Sequence, residues 1–281
     1  MRGRSTVHFS AFQLSYLWLP FFGLIVGLLA SVIGSGGGLV LPLILILVFG
    51  AAAPTAVGTS LAAILPLCAV ALLGHHRSGN IDTRLGALFG ITGVTGALVG
   101  VGLTRIMGAE LLRAAFGVYT LLLGVVMVPR KSRPLPSVGP IDSDMSHASE
   151  GGSPGAAVCR RRTFVLGSLY GFAGGLISGS FGTSGSAPVL AGLFALRMPL
   201  KLVIGTSLMV VLIKTAAALA GHVVFGVIDL TLVLLLTPGT VLGAVAGPRL
   251  LARAAVESRE NQIRRVLAVA VMLAGVLMLV R

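Results

Sequence analysis

The chain of 281 residues contains two short motifs that each occur twice at the same spacing. Residues 74–82 (GHHRSGNID) are matched by residues 221–229 (GHVVFGVID), and residues 57–60 (VGTS) by residues 204–207 (IGTS), in both cases 147 positions further on. Two motifs in one register indicate two homologous halves rather than a chance similarity.

Hydrophobic residues make up 56% of the chain, charged residues only 10%, and the mean hydropathy is +1.01. A water-soluble domain does not bury that much apolar surface, whereas a bilayer crossed by helices of about 20 apolar residues does. The sequence therefore predicts an all-α polytopic membrane protein built from two homologous repeats. Duplicated membrane halves are typical of transporters whose site lies where the halves meet.

The formal net charge of +13 does not indicate a nucleic-acid partner. Of the 21 Lys and Arg residues, 15 fall in four polar segments between apolar stretches, and no basic–aromatic pattern accompanies them. Positive loops orient membrane proteins, so topology explains this distribution. The four segments are 77–84, 130–162, 197–201 and 249–265.

Ten apolar stretches, five in each half, set the domain organisation. The second stretch of each half, 38–50 or 187–196, would form a helix of about 20 Å or less, which is shorter than a membrane core of about 30 Å. Each is therefore either a re-entrant half-helix or a short span, which gives eight to ten spans. The divisions are an N-terminal tail (1–14), a first transmembrane repeat (15–128), a disordered basic linker (129–163) and a second transmembrane repeat (164–281).

Counting positive charges distinguishes the two topologies. Five segments per half, with the N-terminus outside, place 15 Lys and Arg inside and 5 outside. Four segments per half divide them 11 to 9, which is no bias. The positive-inside tendency favours five, and an odd number inverts one repeat relative to the other. We therefore expect an inverted 5+5 arrangement that includes short, broken helices.

A glycine-rich segment follows the first apolar stretch of each half: residues 34–42 (GSGGGLVLP) and, less closely matched, 182–188 (GTSGSAP). Glycine costs about 1 kcal/mol relative to alanine within a helix, so a break is expected at both places. The N–H groups of the following helix would then face an anion inside the membrane, although close helix packing is an alternative explanation. The candidate binding residues are Gly36, Gly37, Gly38, Gly182, Thr183, Ser184, Gly185 and Ser186.

Four hydroxyl residues and one lysine are further candidates for binding an anion. The hydroxyls of the GTS motifs either bond to the backbone of their own helices or ligate an oxyanion. The lysine is the only charged residue well inside a span, and no carboxylate lies within any span. Such a cation needs a partner, which a transient anion would supply, unless its side chain reaches the membrane surface. These candidates are Thr59, Ser60, Thr206, Ser207 and Lys214.

The duplicated turn adds two acidic residues and two histidines. Asp82 and Asp229 precede apolar runs and are expected to be helix N-caps. His75 and His222 end the preceding helices, where an imidazole interacts with the negative end of the helix dipole. A pH-sensing or proton-passing role is the alternative for the histidines.

The glycine-rich break followed by a proline, the GTS motif and the Gly-x-Ile-Asp turn, all duplicated around a variable loop, resemble the TauE/SafE family of sulfite exporters. The resemblance covers about residues 20–128 and 165–280. It implies a multi-pass protein of the bacterial inner membrane that exports, or in some members takes up, sulfite, sulfonates or related small organic anions. The second half departs from the family pattern at 182–188, so the resemblance does not determine the ligand.

An anion channel and a membrane assembly factor without transport activity are the alternative functions. An enzyme is not expected, because GTSGS lacks the last glycine of Gly-x-Ser-x-Gly and no His-Glu-x-x-His motif occurs. Neither a metal nor a cofactor is expected. The expected partners are a small anionic substrate and the lipid bilayer, without nucleic acid, and a homodimer is one assembly state to consider.

Overall fold

The computed structural model describes residues 7–8, 14–33, 38–77, 79–127, 154–196, 198–225, 227–253 and 260–280. These residues form ten α-helices, one short 3-10 helix at Leu14–Trp18, and two short strands, β1 (Val7–His8) and β2 (Ile228–Asp229), that pair in parallel. The helices are α1 (Leu19–Ile33), α2 (Val40–Leu47), α3 (Ala53–Arg77), α4 (Thr83–Ile106), α5 (Ala109–Met127), α6 (Pro154–Phe181), α7 (Ser186–Ala195), α8 (Leu200–Phe225), α9 (Leu230–Arg253) and α10 (Glu260–Val280).

Within the described residues, five helical segments are long and apolar enough to cross a membrane. Large apolar side chains lie on their outward faces, where Ile91 is 67% and Val126 78% exposed. An apolar exterior of this extent is what a lipid-facing surface requires. The five segments are Ala53–His76, Thr83–Ile106, Ala109–Val126, Thr163–Phe181 and Lys201–Phe225.

The second helix of each half is short, as the apolar stretches predict. Helix α2 has 8 residues and α7 has 10, which correspond to about 12 and 15 Å of helix. Neither length reaches across a hydrocarbon core of about 30 Å. Helix α2 is also shorter than the apolar stretch 38–50, because the chain turns after Val48 and Gly50 adopts a positive φ of 64°.

The start of α6 differs from the expected domain boundary. The composition of the linker predicts an irregular segment up to residue 163, yet the helix begins at Pro154. Proline is favoured in the first helical turn, where its missing N–H has no helical partner, and the alanines and arginines that follow are strong helix formers. Residues 128–153, which include the rest of the expected linker, lie outside the described residues.

Glycines allow the helices of the two halves to pack backbone to backbone. Helix α4 packs on α6, and its counterpart α9 packs on α1. A Cβ atom at Gly175 would overlap the Gly93 carbonyl oxygen, and one at Gly27 would overlap the Thr240 carbonyl oxygen. Small residues at such crossings are the usual means of close helix association in membranes.

The two GTS motifs and the two turns bond to each other across the repeats. The amide of Asp82 donates to Thr206 Oγ1 at 2.9 Å, and the amide of Asp229 donates to Thr59 Oγ1 at 3.1 Å. Thr59 lies near the start of α3 while Asp229 follows the end of α8, so the second bond joins opposite ends of these helices. The equivalent helices α3 and α8 therefore run antiparallel to one another.

Helices α5 and α10 also run antiparallel. A Cβ atom at Gly117 would lie 3.2 Å from the Gly275 carbonyl oxygen, whereas one at Gly124 would lie 3.1 Å from the Ala268 carbonyl oxygen. Residue numbers therefore increase along α5 where those of the facing residues in α10 decrease. In both pairs, α3 with α8 and α5 with α10, helices that hold the same place in the order of their halves thus run in opposite directions.

Candidate functional site

Lys214 lies at the centre of α8 and is completely buried. Its Nζ donates a hydrogen bond to the carbonyl oxygen of Gly185 at 2.6 Å. The residue is about 20 Å of helix from one end of the apolar segment Lys201–Phe225 and about 17 Å from the other. The ammonium group therefore stays near the middle of this apolar segment.

The chain break between α6 and α7 lies directly against this lysine. Gly182 and Gly185 have positive φ values of 65° and 51°, a conformation that glycine adopts at little cost. Both glycines are also tightly enclosed, since a Cβ atom at Gly182 would lie 2.6 Å from Ser60 Oγ and one at Gly185 would overlap the Gly174 carbonyl oxygen. Side chains larger than hydrogen are therefore excluded at both positions.

The break also contacts the first half of the chain. Ser60 Oγ donates to the carbonyl oxygens of Val57, in its own helix, and of Gly182, each at 2.9 Å. A Cβ atom at Gly38 would overlap the Ser184 amide nitrogen. The glycine segments of the two halves therefore meet at Gly38, whereas Gly36 and Gly37 lie outside the described residues.

Helix α7 begins beside the lysine with a group of small hydroxyl residues. Thr183, Ser184 and Ser186 are all buried, and the hydroxyl groups of Ser184 and Ser186 lie 3.1 Å apart. The first N–H groups of a helix carry partial positive charge, so this end of α7 adds to the field of Lys214. The break, the helix start and the ammonium group together favour an anion over a cation.

The remaining GTS hydroxyls bond to the protein itself. Thr59 and Thr206 accept the hydrogen bonds from the turn amides described above. Ser207 Oγ donates to the Ile204 carbonyl oxygen at 2.8 Å. Of the four GTS hydroxyls expected to ligate an anion, Ser60 contacts the break through its hydrogen bond to the Gly182 carbonyl oxygen.

The acidic residues of the turns are N-caps, as their positions indicate. One Asp82 carboxylate oxygen accepts hydrogen bonds from the amides of Arg84 and Leu85, each at 3.0 Å. Asp229 accepts from the amide of Thr231 at 3.0 Å. Both carboxylates therefore stabilise the start of the following helix.

The two histidines occupy unlike environments despite their equivalent positions in the repeats. His75 lies near the end of α3 and is more exposed than its counterpart. His222 is buried in α8, and its Nε2 lies 2.9 Å from the Gly179 carbonyl oxygen of α6. His222 is about 12 Å of helix beyond Lys214, so the structure does not bring it to the buried ammonium group.

Sequence patterns did not identify three contributors to this region. Gly174 faces the lysine, because a Cβ atom there would lie 2.9 Å from Lys214 Nζ. The buried Cys68 thiol of α3 lies near the same ammonium group. Phe181, the last residue of α6, stacks on Tyr119 of α5 with ring centroids 5.1 Å apart, next to the break. In the sequence, the glycine pair 174–175 is the local signal that indicates a closely packed helix face here. The other contacts join distant segments and leave no pattern in either of them.

Two other features of the described residues do not belong to this site. A surface pocket of about 300 Å³ lies between the α2–α3 connection and the start of α5, and contains none of the residues expected to bind the anion. Within the described part of the chain, no three His, Cys, Asp or Glu side chains are grouped so that they could hold a metal ion.

The fold and the buried charge define a class of protein. Segments from the two halves of the chain meet at a helix break beside a buried cation, an arrangement typical of membrane transporters. The model of the family described as "Sulfite exporter TauE/SafE" matches residues 19–278. The chain therefore belongs to this family of membrane transporters, as its duplicated motifs predict.

Similar proteins of two bacterial species carry names that agree with this class. The chain is 26% identical over 227 residues to the "Probable membrane transporter protein YdhB" of Bacillus subtilis, a match that covers 80% of this chain and 86% of that protein. It is 25% identical over 245 residues to the "Probable membrane transporter protein YunE" of the same organism, with coverage of 83% and 88%. A "Probable membrane transporter protein" of Xylella fastidiosa is 26% identical over 67% of each chain. No solved structure matches the chain.

Proposed function

We propose that this transporter carries small anions, with sulfite, sulfonates or related organic anions as its substrates. The observation that carries the proposal is Lys214, which is fully buried in mid-span. Its described hydrogen-bond partner is a neutral carbonyl group, and no carboxylate lies within any apolar stretch of the sequence. A buried cation without an anionic partner is energetically costly, and a bound anion would lower that cost.

The substrate-binding residues of this proposal surround the break between α6 and α7. Gly38, Ser60 and the segment 182–186 lie at or against it, and Lys214 supplies the positive charge. Thr59 and Thr206 belong to the same proposal as groups that hold the helices around the site, and Ser207 as a hydroxyl that bonds within its own helix. In these roles they stabilise the site without having to contact the anion.

Alternating access through inverted repeats is the mechanism that we propose for this site. It is supported by the antiparallel directions of α3 relative to α8 and of α5 relative to α10, and by the reciprocal bonds between GTS motifs and turns. Exchanging the conformations of two such halves would expose the same central site first to one side of the membrane and then to the other. The 5+5 topology, with the N-terminus outside, is part of this proposal.

Export from the cell is the direction that the energetics favour. An anion that leaves a cell with a negative interior gains about 2.3 kcal/mol per charge for each 100 mV of membrane potential. Facilitated export therefore needs no coupling ion. The residues that usually couple transport to protons, membrane-embedded Asp or Glu, do not occur in the apolar stretches.

Flux into proteoliposomes tests the proposal directly. Purified protein would be reconstituted, radiolabelled sulfite supplied at set membrane potentials, and competition measured with sulfate, thiosulfate, taurine and a carboxylate. Saturable, potential-dependent flux that is lost in Lys214→Ala and kept in the exposed control Lys201→Ala is the expected result. Flux that does not saturate would indicate a channel. No flux of any anion through folded protein would refute anion transport and favour an assembly role.

A further inference from the structure

We propose that Ser178 and Thr215 are two additional anion ligands beside Lys214, and that the site takes a singly charged oxyanion rather than a dianion. Hydrogen sulfite and simple alkanesulfonates have this charge. The inference rests on the proposed function and deepens it, because it names the charge state of the substrate and two residues outside the duplicated motifs.

Both hydroxyl groups are buried and lack a hydrogen-bond partner among the described residues. Ser178 and Thr215 are each 0% exposed, and neither hydroxyl bonds to a described group. Other buried hydroxyls in the helices behave differently: Thr104 and Thr120, for example, donate to carbonyl groups of their own helices. A buried hydroxyl without a partner destabilises the fold, so unpaired hydroxyls on two helices that pack together, α6 and α8, point to a ligand that supplies the missing acceptor.

Ser178 lies on the face of α6 that points toward the lysine. Gly174, one helical turn earlier, has its Cα–Cβ direction aimed at Lys214 Nζ and at the Gly185 carbonyl oxygen. Residues four apart share one helix face, with Cβ atoms about 6 Å apart. The amide of Gly182 bonds to the Ser178 carbonyl oxygen, so Ser178 is also in the last turn before the break.

Thr215 lies on the face of α8 that packs toward α3. It follows Lys214 directly and lies one turn from Val211, which packs in one apolar cluster with Leu67 and Cys68 of α3. The Cys68 thiol of α3 also lies near the Lys214 ammonium group. Unpaired hydroxyl groups thus lie on α8, which carries the ammonium group, and on α6, which contacts it through Gly174, an arrangement suited to an ion with several acceptor oxygens and one negative charge.

The charge of the site favours a monoanion. Among the side chains that the structure describes, no Lys or Arg other than Lys214 is buried. Its repeat counterpart, Leu67, is apolar and fully buried, so the duplication did not place a second cation in the site. One bound monoanion gives a neutral pair, whereas a dianion leaves an uncompensated charge in a medium of low dielectric constant.

Binding measurements on the purified full-length protein test both parts of the proposal. Radiolabelled sulfite would be displaced by methanesulfonate, which is singly charged at every working pH, and by sulfate, which is doubly charged. We expect methanesulfonate to compete at least about tenfold better than sulfate, because the second charge of sulfate is uncompensated. Sulfite affinity should also fall as the pH is raised through neutrality, while methanesulfonate affinity serves as the reference.

Substitutions then test the two hydroxyls against matched controls. Ser178→Ala and Thr215→Val should each weaken binding by about 3- to 10-fold without lowering thermal stability, and Thr215→Ser should retain affinity. Ser180 and Thr120 bond to backbone carbonyl groups, so Ser180→Ala and Thr120→Val should leave affinity unchanged.

The outcomes separate this inference from the function on which it rests. If the protein binds anions but Ser178→Ala and Thr215→Val bind as well as wild type, the two residues are not ligands. Equal competition by sulfate and methanesulfonate would overturn the preference for a monoanion. If wild-type protein binds no anion at all, the proposed function fails, and the inference fails with it.

Discussion

The backbone amide of Asp229 donates a hydrogen bond to the hydroxyl of Thr59, 170 residues earlier in the chain. The equivalent bond from Asp82 to Thr206 makes the relationship reciprocal. Each motif that recurs in the sequence is thus bonded to the other recurring motif in the opposite half. The duplicated residues form the joint between the halves, and the proposed anion site lies between the helices that this joint holds together.

Removing either threonine hydroxyl should weaken that joint. In Thr59→Val the buried amide of Asp229 loses its acceptor, and we expect the free energy of unfolding to fall by about 1–3 kcal/mol. Thr206→Val should behave similarly. Thermal unfolding in detergent measures the effect, and Thr237→Val is the control, because the Thr237 hydroxyl donates to the Val233 carbonyl oxygen in its own helix. Unfolding temperatures equal to wild type in both variants would contradict a structural joint.

Replacing the buried lysine should separate stability from transport. Lys214→Met keeps most of the length of the side chain and removes the charge, and replacing buried charges by apolar groups is often neutral or stabilising. We therefore expect an unchanged or higher unfolding temperature together with a loss of anion flux of at least about 100-fold, which corresponds to about 2.7 kcal/mol. The unfolding temperature and the anion flux should be measured on the same preparation. A variant with a lower unfolding temperature that retains its flux would show that Lys214 is structural.

The close packing of α4 on α6 should not tolerate a methyl group. A Cβ atom at Gly175 would overlap the Gly93 carbonyl oxygen, so Gly175→Ala must separate the two helices and should cost about 1–3 kcal/mol or more. Gly102 lies on α4 with nothing within 4 Å of its Cβ position, which makes Gly102→Ala the matched control. Size-exclusion profiles and unfolding temperatures should distinguish the variants; identical behaviour would mean that these helices can shift at no cost.

Gly182 at the break permits a test that separates backbone strain from steric contact. Gly182 and Gly79 have nearly the same φ, 65° and 66°, but only Gly182 is enclosed, by Ser60 and Val57. An alanine in this conformation costs about 1–2 kcal/mol at either position. Gly79→Ala should therefore show only that modest loss of stability, whereas Gly182→Ala should also abolish anion flux. Equal anion flux in the two variants would show that the break is not part of the anion site.

Local sequence determined the class of protein, the break between α6 and α7, and the helix caps. Apolar composition predicts membrane helices, the glycine cluster at 182–186 predicts the break, and an aspartate before an apolar run predicts the caps at Asp82 and Asp229. These features depend on the conformational preferences of neighbouring residues, which can be recognised without the rest of the chain. Even here α6 begins at Pro154 rather than near residue 164, because a basic segment that resembles a linker continues the helix.

The tertiary structure alone decided which of the polar residues meet. The sequence supplies Thr59, Ser60 and Lys214 as equal candidates, but folding directs the Thr59 hydroxyl to a turn amide, the Ser60 hydroxyl to the break and the Lys214 ammonium group to Gly185. It also buries Ser178 and Thr215, which stand in no motif, without a partner among the described residues. Such contacts join segments more than 100 residues apart in several cases, and they depend on helix directions and packing that no local pattern encodes.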